Sequence, residues 1–125
     1  MTATRYRDLT KQITSNLAPL RASAPQVMKS FAEMGKAAIA DVALDAKTKE
    51  LIALAIGVAT RCDGCIGFHA KALARLGATK AEVHETLGVA VYMGGGPSAM
   101  YAANAVAAFD EFMAETPPSS LPAEQ

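Results

Sequence analysis

The chain has 125 residues, 51% of them hydrophobic, with positive mean hydropathy, which suffices for one folded core and lies far from the composition of a disordered chain. Twelve Lys and Arg residues balance twelve Asp and Glu, and no basic stripe with interleaved aromatics occurs, which excludes nucleic acid as an expected partner. The longest strongly apolar stretch, Leu51 to Ala59, is too short to span a bilayer, and Met1 to Leu17 carries Arg5, Arg7, Asp8 and Lys11 without the apolar run of a signal peptide, so a soluble cytoplasmic protein without a membrane partner is expected.

Abundant alanine and the absence of tryptophan favour closely packed helices over sheets of β-branched strands. In chain order, Leu9, Ile13 and Leu17 fall at four-residue spacing and predict a packing helix over residues 6–17, ending before Pro19. Pro25 suits the first turn of a second helix, whose apolar face comprises Val27, Met28, Phe31, Met34 and Ile39, with Lys29, Glu33 and Lys36 facing water. Asp45 is a good N-cap for a third helix towards Thr60 that has almost no polar face and is therefore expected to be central and buried. Asp63-Gly64 reads as a change of direction, Cys65 to Leu76 as a fourth helix, and Gly77 as its left-handed C-cap. Thr79-Lys80-Ala81-Glu82 is a capping-box sequence for a fifth helix that ends at Gly94-Gly95-Gly96, and Pro97 opens a sixth that runs to about Ala114.

The expectation is thus an all-α, compact single-domain bundle of about six helices spanning 1–115, with its core in 25–114 and a disordered Pro- and Ser-bearing tail at 116–125. A domain this small and this apolar has difficulty hiding its hydrophobic surface alone, so a homo-oligomer is expected.

The chemistry is concentrated in Cys62-Asp63-Gly64-Cys65, which holds both cysteines of the chain, with His69 following and Glu50 preceding. On a helix, Cys65 and His69 lie one turn apart on one face. A dithiol beside a base points to redox or metal chemistry. In a reducing compartment a lone CxxC is more in keeping with catalysis or metal binding than with a structural bridge. A cysteine thiol is mostly protonated at neutral pH, so the thiolate needs support, which His69 and the amide dipoles at the start of the fourth helix can supply to Cys65. Cys62 is then the resolving thiol, able to close a disulfide across two intervening residues. Glu50 stands in an otherwise apolar helix, where a carboxylate either finds a partner or keeps its proton, and this marks it as a proton acceptor.

Other readings of these residues are weighed against this one. Cys62, Cys65 and His69 could ligate zinc with Glu50 or His84, but a structural zinc site ordinarily offers a fourth Cys or His at recognisable spacing. The cysteines could be inert packing, and Glu50 could instead pair with Arg61 or Arg75. His84, flanked by Glu82 and Glu85, reads as a solvated position. Gly94 to Pro97 reads as a helix break rather than an anion nest, and Tyr92, Met93, Met100 and Tyr101 as core or subunit contacts.

Glu50, eleven intervening residues, then Cys62-x-x-Cys65-x-x-x-His69, within Lys47-Thr48-Lys49-Glu50-Leu51-Ile52-Ala53-Leu54-Ala55, resembles the alkylhydroperoxidase AhpD-like group of the carboxymuconolactone decarboxylase family. The similarity extends from about Met28 to Phe112 and is far more specific than CxxC alone. The resemblance implies an all-helical fold, trimers or hexamers, and a cofactor-free, thiol-dependent peroxidase or disulfide reductase. Its substrate would be a hydroperoxide or a disulfide, and an external dithiol would restore the reduced enzyme. It also implies roles: Glu50 the relay acid, Cys65 the activated thiol, His69 the proton shuttle and Cys62 the second redox thiol. Hydroperoxidase members carry a histidine inside the CxxC where this chain has Gly64. Decarboxylase members generally lack the CxxC, so lactone or small-acid chemistry is the alternative within the family, and a zinc-stabilised helical module without catalysis is the alternative outside it.

Overall fold

The computed structural model describes residues 3–115, and the expected disordered tail at 116–125 lies outside them. Six helices follow in order: α1 (Arg5–Ser23), α2 (Pro25–Ile39), α3 (Ala46–Ala59), α4 (Asp63–Arg75), α5 (Lys80–Gly94) and α6 (Gly96–Glu115), with no strand among the described residues. Helices α3 to α6 pack on one another, and α1 lies against α4 and α6. The core between them holds Leu54 and Val58 of α3, Ile66 and Leu73 of α4, Val83 and Leu87 of α5, and Phe109 and Phe112 of α6. Ala102, Ala105 and Ala108 form a buried small-residue row on α6, which lets neighbouring helices approach closely. None of the helices is long and apolar enough to cross a membrane among the described residues.

Local signals explain most helix ends. The Asp45 carboxylate accepts the Thr48 N–H at 2.8 Å and is held below the usual carboxylate range first by the Thr48 side chain and next by this backbone bond. At α5 the capping box is complete: Glu82 N–H donates to Thr79 Oγ1 at 3.1 Å, and Thr79 N–H donates to Glu82 Oε1 at 2.9 Å. Glu82 also pairs with Lys47 Nζ at 2.8 Å, which fastens the start of α5 to the start of α3 and lowers the Glu82 carboxyl while raising the Lys47 ammonium.

Four expectations need correction. First, α1 continues through Pro19 instead of ending before it. Pro19 removes a hydrogen bond to the Ser15 carbonyl, but Ser15 is exposed, so water can take the place of the lost N–H. Second, the break before α4 falls at Arg61, not at Asp63-Gly64. Arg61 takes the left-handed conformation (φ 57°), its N–H bonds to the Val58 carbonyl at 3.1 Å, and Cys62 N–H bonds to the Gly57 carbonyl at 2.9 Å. These are the two bonds of a Schellman motif with arginine in the position that glycine usually occupies. Gly77 (φ 77°) terminates α4 by the same device, with the expected residue.

Third, α3 is central but not uniformly buried. Glu50, Leu54, Gly57 and Val58 face inward, whereas Ile52 and Ile56 are exposed. Fourth, the apolar face of α2 faces solvent: Val27 is 68% exposed, Phe31 65% and Met34 61%, and no α2 residue is buried. Tyr92, Met93 and Met100 are exposed as well, so none of these three is a core contact of this chain.

A candidate dithiol and proton-relay site

The link between α3 and α4 builds the site. Cys62 is the N-cap of α4, and its sulfur accepts the Cys65 N–H at 3.2 Å. The helix-start amides therefore address Cys62 Sγ, whereas the sequence directed them to Cys65, because the helix begins at Asp63 and not at Cys65. Gly57 allows this close approach. A Cβ at Gly57 would lie 3.2 Å from Cys65 Cβ, so a side chain there would require Cys65 to give by a few tenths of an ångström. The two cysteines form a disulfide with a Cα–Cα separation of 5.2 Å.

One turn along α4 from Cys65, His69 Nδ1 lies 3.1 and 3.3 Å from the two Glu50 carboxylate oxygens. The Glu50 side chain is only 7% exposed and the His69 side chain 31%. A carboxylate this deeply buried needs a donor, and the Nδ1–H tautomer provides it. That tautomer leaves Nε2 as the nitrogen free to take a proton. Glu50 makes no ion pair with Arg61 or Arg75 among the described residues, and its partner is His69. The structure thus brings the four sequence-selected residues together as two pairs, Glu50 with His69 and Cys62 with Cys65, joined through the one-turn spacing of Cys65 and His69 on α4. His84 is apart from them, exposed on α5. Among the described residues no group of three or more His, Cys, Asp or Glu side chains is arranged to hold a metal ion.

Two features of the site have no signal in the sequence. A cavity of about 420 Å³ opens onto Glu50, walled by Ile39, Ala72 and Leu76 and flanked by Lys36 and Arg75. It exists because α2 folds back beside α3 and α4, a long-range arrangement that periodicity does not encode. The second feature is Tyr6, fully buried, whose phenol donates to Asp63 Oδ1 at 3.1 Å inside the CxxC. Burial, and next this hydrogen bond, push the Tyr6 phenol up to about 12.

Comparison with known proteins agrees with the helical architecture. The model of the carboxymuconolactone decarboxylase family matches residues 25–108. Among solved structures, the apo form of a carboxymuconolactone decarboxylase family protein from Legionella pneumophila superposes with a TM-score of 0.87 at 54% identity, over 89% of this chain and 99% of that one. A Thermotoga maritima structure gives a TM-score of 0.75 at 25% identity, over 90% of this chain and 96% of that one. An uncharacterized protein of Cupriavidus necator is 41% identical over 99 residues, covering 79% of this chain and 88% of the relative.

Proposed function

The chain belongs to the carboxymuconolactone decarboxylase family, and within it we propose a thiol-dependent oxidoreductase of the alkylhydroperoxidase AhpD-like group, which reduces hydroperoxides or disulfides through Cys62 and Cys65. The observation that carries this reading is the Glu50–His69 contact beside a cysteine pair close enough to be disulfide-bonded. An acid that fixes an imidazole one turn from a thiol is what proton removal from that thiol requires.

In this mechanism His69, held by Glu50, takes the Cys65 proton. The Cys65 thiolate attacks the terminal oxygen of the hydroperoxide, and the O–O bond breaks. Cys65 becomes a sulfenic acid, and the leaving alkoxide takes the proton from His69 to depart as an alcohol. The Cys62 thiol then attacks the sulfenic sulfur, water leaves, and the disulfide closes. With a disulfide as oxidant, the Cys65 thiolate breaks the substrate S–S bond, releasing one substrate thiol and leaving a mixed disulfide, and Cys62 then attacks Cys65 Sγ, which releases the second thiol and closes the disulfide. An external dithiol restores both thiols by exchange. The amide donated to Cys62 Sγ favours negative charge developing on that sulfur as its proton departs with the leaving water.

The cavity of about 420 Å³ opens the Glu50 end of the relay to solvent, while neither cysteine nor His69 lines it. The proposal includes a homo-oligomer, because Val27, Phe31 and Met34 on α2 leave an apolar face without cover in the single chain. Turnover of an alkyl hydroperoxide with dithiothreitol as reductant tests the function. The Cys65→Ser variant is expected to lose at least about a hundredfold in rate, and retention of wild-type turnover would overturn the mechanism.

A further inference from the structure

Helix α1 lies outside the span matched by the family model, 25–108, yet it packs against the start of α4. Two glycines of α4 permit the approach. A Cβ at Gly64 would stand 2.9 Å from Ile13 Cδ1, and one at Gly67 would stand 2.7 Å from Thr10 Cγ2. Gly64 lies between the two cysteines, so Ile13 occupies the space into which a side chain at that position would project. Ile13 Cδ1 is the far end of a flexible side chain and can move aside, so this contact measures how closely α1 approaches the CxxC without requiring glycine there.

From the same helix comes Tyr6, whose ring is sealed in the core and whose O–H reaches Asp63 Oδ1 at 3.1 Å. Its backbone is fixed independently, because Tyr6 N–H donates to the buried Glu111 carboxylate at 2.8 Å. Asp63 directly follows Cys62 and is the acidic residue of the first turn of α4. A carboxylate beside a thiol opposes loss of the thiol proton, because the thiolate would be a second negative charge nearby. A carboxylate that accepts a phenol hydrogen bond has part of its charge compensated, and is tethered towards the donor. Other charged groups around this contact are Arg5, whose guanidinium stands 5.0 Å from the Tyr6 ring centroid, and Glu111 of α6. Glu50 and His69 are paired with each other.

We propose that Tyr6 is a positioning residue for the dithiol: by holding the Asp63 carboxylate through its phenol, it limits the penalty that this charge imposes on ionisation of the neighbouring cysteines. The inference rests on the redox reading of Cys62 and Cys65, and it adds α1 to the machinery of that site. It predicts a specific dependence. Removing the phenol should make the thiols less acidic only while Asp63 carries its charge.

The test is a titration of the fully reduced protein, following thiolate by its ultraviolet absorbance, in wild type, Tyr6→Phe, Asp63→Asn and the double variant. Tyr6→Phe is expected to raise the lower thiol pKa by about half a pH unit, and Asp63→Asn to lower it by about one. The double variant should match Asp63→Asn alone, since the phenol acts through the carboxylate. An equal effect of Tyr6→Phe in both backgrounds, or no effect in either, would overturn the proposal. Should Tyr6→Phe fail to fold by circular dichroism, an unshifted thiol in Asp63→Asn still overturns it. The titration needs neither hydroperoxide nor reductant. A protein that follows the predicted cycle yet consumes no hydroperoxide therefore loses the proposed function and keeps this inference, and the converse result does the reverse.

Discussion

A carboxylate as buried as Glu50 costs several kcal/mol unless a partner compensates it, and here the partner is His69 Nδ1 at 3.1 Å. Residue types alone mark this pair, because an acid in an apolar helix and a histidine one turn from a cysteine each need an explanation that the other supplies. Tyr6 and Asp63 bear no such mark, being 57 positions apart in sequence. A tyrosine near the start of a chain looks like any amphipathic residue until the fold seals it. Its ionisation makes a test at this scale. With the folded pKa raised from 10.0 to about 12, the neutral phenol's contribution to stability is complete below pH 10 and is lost as pH rises through about 12. Urea denaturation of wild type should therefore show an alkaline decline, on the order of 2 kcal/mol, that Tyr6→Phe lacks. Parallel curves for the two proteins across that range would refute the assignment.

Helix ends were legible wherever a local rule decides them. Asp45, the Thr79–Glu82 box and Gly77 all act within four residues of the backbone groups they satisfy. The ends that escaped depend on context. Pro19 is tolerated in α1 where Ser15, whose carbonyl loses its helical partner, is exposed, and Arg61 adopts a left-handed turn without the glycine that would have announced it. The start of α1 is the clearest case, for Thr4 provides no side-chain cap. Instead the buried Glu111 of α6 accepts Tyr6 N–H at 2.8 Å and Arg7 N–H at 3.1 Å through Oε1. A residue more than a hundred positions away thus serves as the cap, and Arg7 Nε pairs with Glu115 at 2.9 Å beside it. Glu111→Ala leaves those amides without their acceptor and should cost about 1–3 kcal/mol in urea denaturation. Hydrogen exchange at Tyr6 and Arg7 should quicken more than in α5. Unchanged exchange at both amides would show that α1 does not depend on this contact.

At the scale of the whole molecule, hydrophobic periodicity gave the helix count and the all-α class, because each helix carries its own signal. It gave no partner for α2, whose amphipathic pattern fits burial against this chain and burial against another equally well. Phe31, Met34 and Val27 remain exposed, and the sequence has no net charge to hold copies apart. A second copy of this chain is the proposed cover, so Phe31→Glu should shift sedimentation towards the monomer while circular dichroism stays helical. An unchanged sedimentation coefficient in that variant would remove α2 from the interface. The account as a whole depends on a relay-activated dithiol, and its most direct test is intact mass with a free-thiol count on reduced, chelator-treated protein before and after one equivalent of an organic hydroperoxide. Wild type is expected to lose two hydrogens and both thiols rapidly, with Glu50→Gln and His69→Asn slower by about a hundredfold. Thiols that stay reduced, or that oxidise equally slowly in all three proteins, would contradict it.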